Sequence, residues 1–278
     1  MRCLYGCLIV VGCLAGAMGF ALTSANALQG ASPGIPGLRK IDPALPLVKR
    51  FETSTMWASE WPYAPTFSPI DGVIKFSGNV YFDFDTSSRD AYEDPWTVEF
   101  LEKIIPEISR ITGLSFLNMI NLQGAEAAAI LVKVDSKEAL KEEVVSFGMD
   151  PRVAEDASGS VICNYWFADG NDGFLQFAYV FVKSDSPQKL RRHCILKNVY
   201  AALGMGVADH TPQTNPDEIS GQPFSVLTTD DKILLRTLYD PRITTRMTGI
   251  EVLSIAKKLI PEFQAAVSEH GETALYQR

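Results

Sequence analysis

The sequence predicts an α+β fold, in which a mixed sheet packs on helices within a single domain that has a buried central helix. Strand-like and helix-like segments alternate over residues 73–147, and a predicted hairpin follows at 161–183. The stretch from Cys194 to Met205, CILKNVYAALGM, has ten apolar, small or sulfur-bearing residues out of twelve, which is typical of a helix buried on all sides. With 46% hydrophobic residues, the chain supports one sizeable core.

Residues 1–27 are predicted to be an export signal. Arg2 precedes a long apolar run that ends at Leu22, and Ala25 to Ala27 form a small-x-small cleavage site. An alternative is a lipoprotein signal ending at Cys13, but cleavage there would leave more apolar residues on the mature protein. We therefore expect an exported protein, periplasmic or secreted, with no stable membrane span after cleavage.

Residues 28–48 are rich in Pro and Gly and are predicted to be a linker, and residues 49–278 are predicted to form the domain. The formal net charge of −8 argues against nucleic acid and against anionic membrane surfaces as partners.

The first half of the domain is predicted to contain three strands, at 73–76, 80–84 and 128–134. A helix begins at Asp94 and Pro95 and continues to Gly113, with a kink expected at Pro106. A second helix follows the third strand. It is capped by Ser136 and extends to residue 147.

The second half is predicted to begin with a hairpin whose strands are 161–167 and 174–183. The central helix follows it, with Ser186 as the cap, Pro187 in the first turn and Gly204 at the end.

Two further helices have start signatures at Thr228-x-x-Asp231 and Thr248-x-x-Glu251. The first of these helices is expected to end near Tyr239. The second is expected to be interrupted at Pro261 and to continue to about residue 269.

Two of the five cysteines, Cys163 and Cys194, lie outside the predicted signal. An exported protein folds in an oxidising compartment, so we expect these two residues to form a disulfide, although two buried thiols are the alternative. A bridge closing about 30 residues would stabilise the fold by about 3 to 4 kcal/mol in the chain-entropy view.

The central helix resembles the H-E-x-x-H helix of zinc metallopeptidases with its L-G-L tail. On that pattern Lys197 replaces the first His, Asn198 replaces the Glu and Ala201 replaces the second His. Leu227-Thr228-Thr229-Asp230-Asp231 resembles the segment that follows the zinc site in matrixin-like enzymes. The resemblance implies a zincin-like (metzincin-like) domain, with a mixed sheet followed by a buried helix.

A second resemblance covers about residues 160–260. The stretches HCIL…ALGM and LTTDDKILLRTLYDPR, followed by Met247, resemble a bacterial family of exported proteins catalogued only as a domain of unknown function. Members of that family typically have two Glu and a Gln on the helix, where this chain has Lys197, Asn198 and Ala201.

These replacements predict a non-catalytic, pseudo-metallopeptidase-like module without a metal or other cofactor. A protonated ammonium and a methyl group cannot ligate zinc, and a carboxamide is not a base at neutral pH. We expect the remnant cleft to bind a protein or peptide partner, and Lys197 to favour an anionic group such as a peptide C-terminus.

The alternative is a hydrolase or metallopeptidase with an unconventional active site. Its candidate residues are His193, Asp209 and His210, although adjacent residues such as the last two rarely share one tetrahedral site. A structural envelope protein without a ligand is a third hypothesis.

Overall fold

The computed structural model of the protein describes residues 46–55, 72–85, 95–118, 128–146, 163–169, 174–205 and 226–277. The predicted signal and nearly all of the predicted linker lie outside these residues, as do Asp209 and His210. Within the described part the protein is α+β, as expected.

Five strands form one mixed sheet with the order β2-β1-β3-β5-β4. Strand β1 pairs in parallel with β2 and β3, and β3 pairs in parallel with β5. Strand β4 pairs antiparallel with β5, which confirms the predicted hairpin. The strands are β1 (Asn79–Asp85), β2 (Ser115–Asn118), β3 (Ala128–Asp135), β4 (Cys163–Asp169) and β5 (Leu175–Lys183).

The helices pack mainly on one face of this sheet. They are α1 (Leu47–Thr55), α2 (Pro95–Glu99, Phe100–Ile104 and Ile105–Thr112), α3 (Lys137–Ser146), α4 (Gln188–Ala202), α5 (Thr229–Leu238) and α6 (Gly249–His270), followed by a 3₁₀ turn, Glu272–Leu275. Helix α4 lies against β3, β4 and β5, and α6 packs on α1 and α5.

Strand periodicity assigns the side chains to two cores. Val80, Phe82 and Phe84 alternate along β1 and point into the main core with α2 and α4. The opposite face of the sheet carries a smaller core in which Tyr179 and Phe181 stack at 5.3 Å, and α3 covers it with Leu140 and Val144. Both faces are therefore covered, as in other sheets with parallel strands.

Helix α2 accommodates Pro106 by widening the preceding turn. Residues Phe100–Ile104 form a π-helical turn in which the N–H of Ile105 donates to the carbonyl of Phe100. A proline lacks the N–H of a regular turn, and its ring crowds the turn before it. The expected irregularity at Pro106 thus takes the form of a π-bulge.

Three sequence predictions were wrong in detail. Residues 73–76 do not form a strand of the sheet, since only Lys75 makes a bridge, with Phe174. The N-cap of α4 is Pro187, so Ser186 lies one residue before the cap position, and its N–H donates to the Lys183 carbonyl in the turn after β5. Helix α6 continues through Pro261, since Leu259 and Ile260 before the proline are buried and Phe263 and Val267 after it pack partly buried against the same core.

Other start and stop signals were correct. Ser136 caps α3 through a hydrogen bond from the N–H of Ala139, at 3.2 Å. Both predicted capping boxes are present, at Thr228 for α5 and at Thr248 for α6. Short polar side chains satisfy the free N–H groups of a first turn without tertiary help, which explains why these signals could be recognised locally.

Gly204, just after α4, is where that helix meets the segment 72–76. Gly204 has a φ of 93°, a conformation that favours glycine. A Cβ at this position would lie 2.3 Å from the carbonyl oxygen of Ile74 and 3.2 Å from a methyl group of Leu238. The absence of a side chain therefore lets the end of α4 touch the backbone of residue 74.

We predict that Gly204→Ala destabilises the protein by more than about 3 kcal/mol, because backbone strain and steric overlap add together. Gly78→Ala is the matched control. Gly78 has a φ of 66° but nothing within 4 Å of its added Cβ, so only strain of about 1 kcal/mol is expected. Urea unfolding of both variants tests the difference, and equal losses would contradict the proposed close approach.

Candidate functional site

Helix α4 places two polar residues inside the domain. Every residue from Cys194 to Ala202 is buried, including Lys197 and Asn198. The side chains of Leu196 and Val199 are fully enclosed, whereas Lys197 and Asn198 keep 8% and 4% of their surface exposed. The predicted central helix is therefore confirmed, and its two polar residues are buried with it.

Asn198 has an unusual environment. Its side-chain nitrogen, Nδ2, is buried and makes no hydrogen bond within the described part of the chain. A buried donor without an acceptor costs about 1 to 3 kcal/mol of stability, so such groups are rare in folded proteins. The third predicted site residue, Ala201, lies one turn further along α4 and is also buried.

Tyr200 connects α4 to the start of α5. Its hydroxyl donates to the backbone carbonyl of Asp231, at 3.1 Å. Burial, together with the negative charges of Asp231 and Asp230, raises the pKa of Tyr200 well above its usual value, although the charge of Arg50 opposes this rise. Tyr200 therefore stays protonated and acts as a hydrogen-bond donor between the two helices.

The carboxylates of the segment Leu227 to Asp231 have structural partners. One oxygen of Asp231 accepts from the backbone N–H and the hydroxyl of Thr228, at 2.9 and 2.5 Å. Its other oxygen accepts from Arg50, at 3.2 Å, and Asp230 accepts from the same guanidinium at 3.0 Å. These residues cap α5 and fasten α1 to it, so the segment has a structural role.

The following segment, LYDPR, is also structural. The Tyr239 hydroxyl donates to the carbonyl of Leu203 at 3.0 Å and accepts from the N–H of Phe76 at 3.3 Å. Burial raises the pKa of Tyr239, opposed by the bond from Phe76. A neutral phenol can donate and accept at once, so it joins the end of α4 to residue 76.

Asp240 organises the turn after α5. Its carboxylate accepts from the backbone N–H of Arg242 at 3.0 Å and from that side chain at 2.8 Å, and Arg236 lies 3.4 Å away. Burial opposes ionisation of Asp240, but the bonds from Arg242 and the charges of both arginines outweigh it and lower its pKa. The carboxylate is thus charged and fully engaged.

Lys75 is a buried cation that the sequence analysis did not single out. Its ammonium donates to the carbonyls of Leu238 at 3.0 Å and Ile243 at 2.5 Å, and lies 5.6 Å from the centre of the Tyr239 ring. Burial lowers the pKa of Lys75 to about 8, and the charge of Asp240 limits the decrease. The only local signal was a lysine within the apolar run VIKF.

The structure does not test the three residues considered for a metal site, because two of them lie outside the described residues. His193 lies on α4, one residue before the buried run, whereas Asp209 and His210 fall outside the described residues. Among the residues that the structure describes, no group of three or more His, Cys, Asp or Glu side chains is arranged to hold a metal ion. In the same part of the chain, no helix is long and apolar enough to cross a membrane.

Comparisons with known proteins identify a family. The model of a family described as protein of unknown function (DUF2927) matches residues 58–258, which is most of the predicted domain. No curated protein and no solved structure matches the chain. The match begins about a hundred residues before the resemblance recognised in the sequence, so the family includes the first strands of the sheet as well as α4 and α5.

We predict that Lys75 makes the free energy of unfolding depend on pH in the alkaline range. Its pKa is about 8 in the folded protein and 10.5 when exposed, so the unfolded chain binds more protons between these values. Stability therefore rises with pH over this range, by on the order of 3 kcal/mol from this group.

Lys75→Met should remove that rise. Urea unfolding at pH 7.5 and pH 10 measures it as a change in the stability difference between variant and wild type. Lys189→Met, at an exposed position of α4, is the control and should give the same difference at both pH values. An unchanged difference for Lys75→Met as well would contradict the buried-charge interpretation.

Proposed function

The chain belongs to the DUF2927 family of proteins of unknown function, and we propose that it is a non-catalytic binding module. It binds a protein or peptide partner against α4, where Lys197 and Asn198 interrupt an otherwise apolar helix. The observation that carries the proposal is the Asn198 amide, which is buried on this helix with an unused donor. Groups that cost stability in the free protein are frequently those that meet a ligand.

The residue chemistry favours binding over catalysis. Lys197, Asn198 and Ala201 offer an ammonium, a carboxamide and a methyl group, which are poor ligands for zinc and do not activate water. The carboxylates of Asp231 and Asp240, in the two motifs that follow α4 in the sequence, are occupied by a helix cap and by arginines. A pseudo-metallopeptidase therefore fits these side chains better than an active hydrolase.

We further propose that the domain is zincin-like in shape. The mixed sheet and the buried helix that directly follows β5 support this, because they occur in the order that the helix resemblance implied. Likeness of fold does not carry activity with it, so the functional argument rests on the side chains of α4.

Export from the cytoplasm and a disulfide belong to the same proposal. Cys194 is fully buried on α4, and α4 packs on β4, which begins at Cys163. A bridge between these residues would fasten the helix to the edge of the sheet.

We predict that the mature protein, unfolded without reductant, exposes no reactive thiol, because the two remaining cysteines are bonded. Thiol titration in denaturant measures this, and a sample reduced beforehand is the control that should release both thiols. Reaction of two thiols in the unreduced sample would exclude the bridge.

We predict that Lys197→Glu weakens partner binding at least about tenfold, because it reverses the charge beside the orphan amide. The probe is a peptide selected on the mature protein from a random displayed library, and the measurement is its dissociation constant. Lys189→Glu makes the same charge change at an exposed position of α4 and should bind normally. Lys197→Met removes the charge but keeps the apolar stem, so it shows whether weaker binding is due to the charge or to a folding defect.

Two outcomes would overturn this proposal. If no peptide is enriched over an empty support, or if Lys189→Glu weakens binding as much as Lys197→Glu, the partner does not bind at α4. Selected peptides should also be recovered intact. Cleaved peptides, together with stoichiometric zinc in elemental analysis of the purified protein, would favour the alternative hydrolase.

A further inference from the structure

We infer that residues 271–277 form a strap that closes over the carboxyl ends of α2 and α5, and that it opens, while the rest of the domain stays folded, when acid protonates Glu272. The strap contains the 3₁₀ turn that follows α6. The inference depends on one arrangement, an ionic contact at the near end of the strap and a hydrogen-bonded glutamine at its far end, with one buried side chain between them. It does not depend on the function proposed for α4.

A glycine joins the strap to α6. Gly271 is exposed, and its φ of 73° and ψ of −178° define a conformation that glycine essentially alone adopts. Nothing lies within 4 Å of the position that a Cβ would take there. Because rotation about a glycine meets little steric resistance, Gly271 suits a hinge between a helix that stays in place and a strap that moves.

Gln277 holds the far end of the strap. Its backbone N–H donates to the carbonyl of Arg110 at 2.7 Å. Its side-chain Nε2 donates to the carbonyls of Ile111 at 3.2 Å and Tyr239 at 3.1 Å. These carbonyls lie at the ends of α2 and α5, where no further turn of helix supplies a donor. Water can take the place of Gln277 when the strap leaves, so these bonds do not prevent opening.

The strap has a small apolar anchor. Leu275 is fully buried in the main core, whereas the other side chains of residues 271–277 are exposed or half-buried. The Tyr276 ring lies against the guanidinium of Arg110, with 4.9 Å between the ring centre and Cζ. Segments with few buried apolar contacts are those that open locally, at a lower free energy than the whole domain.

Charge fastens the near end of the strap. The carboxylate of Glu272 accepts from the ammonium of Lys232 at 2.6 Å and from the hydroxyl of Thr229. The same ammonium lies 2.8 Å from the carboxylate of Glu107 on α2. Because Glu107 keeps Lys232 paired, the strap can leave without stranding a nearly buried cation. The ion pair between α2 and α5 therefore remains in the open form.

Protonation of Glu272 weakens this contact. Hydrogen bonds from Lys232 and Thr229 lower the pKa of Glu272, and burial opposes the decrease. The closed strap is therefore stabilised above the ordinary pKa of 4.5, and this stabilisation is lost as the pH falls below it. Replacement of Glu272 separates its effect from that of the other charged groups around the strap, which are Glu107 and Arg110 on α2 and the pair Glu269 and His270 at the end of α6.

The test measures hydrogen exchange of the Gln277 backbone N–H by nuclear magnetic resonance in the full mature chain. Rates are expressed as protection factors at pH 6.5 and pH 3.5, and the N–H groups of the central strand β3 report global unfolding. We expect Gln277 to be less protected than β3 at both pH values. Its protection should fall about fivefold or more at pH 3.5, while that of β3 falls less.

Glu272→Gln should lower the protection of Gln277 about fivefold or more at pH 6.5 and remove most of its pH dependence, because the amide keeps the shape of the side chain without its charge. Glu269→Gln is the matched control, at an exposed position near the hinge, and should behave as wild type. Equal protection of Gln277 and β3 would mean that the strap opens only when the whole domain unfolds, which would overturn the inference. Unchanged protection in Glu272→Gln would overturn it as well.

Discussion

The packing of this domain depends on a short segment, residues 72–76, that lies between the ends of two helices. Its Lys75 ammonium closes the carboxyl end of α5, and its Phe76 N–H reaches the end of α4 through the Tyr239 hydroxyl. The carbonyl of Lys75 also accepts from Leu175 at the start of β5, at 3.0 Å. This stretch buries Val73, Ile74 and Phe76 in the main core, and its polar groups connect the sheet to both helices, because buried polar groups need defined partners.

This segment also explains the family motifs. In the stretch ALGM, Gly204 allows the backbone of α4 to approach Ile74. In the stretch LYDPR, the Tyr239 hydroxyl links the end of α4, at Leu203, to the segment 72–76, at Phe76. Asp240 stabilises the turn that brings the Ile243 carbonyl to Lys75. Short sequence signatures are easily attributed to an active site. Here their side chains stabilise the junction of α4 and α5 with residues 72–76.

Much of the fold follows from local sequence. The capping boxes at Thr228 and Thr248, the cap at Ser136 and the alternation along β1 each rest on contacts within a few residues. The continuous passage of α6 through Pro261 could not be predicted in this way. Local propensity disfavours proline inside a helix by about 3 kcal/mol, and tertiary contacts of the residues on both sides of Pro261 offset that preference. The segment 73–76 was mistaken for a strand for a related reason, since its hydrogen-bond partners, which include the backbone of Met247 and the Tyr239 hydroxyl, are distant in sequence.

The sequence by itself determined that α4 is buried and carries two polar residues, because an apolar helix with a single polar interruption has no other stable location. It also determined that Lys197, Asn198 and Ala201 lack zinc-binding chemistry. Only the tertiary structure decided that the Asn198 amide has an unused donor and that Lys75 lies against Tyr239. Hydrogen-bond satisfaction and the pKa of a buried amine depend on atoms brought close by folding, and no pattern along the chain encodes those distances.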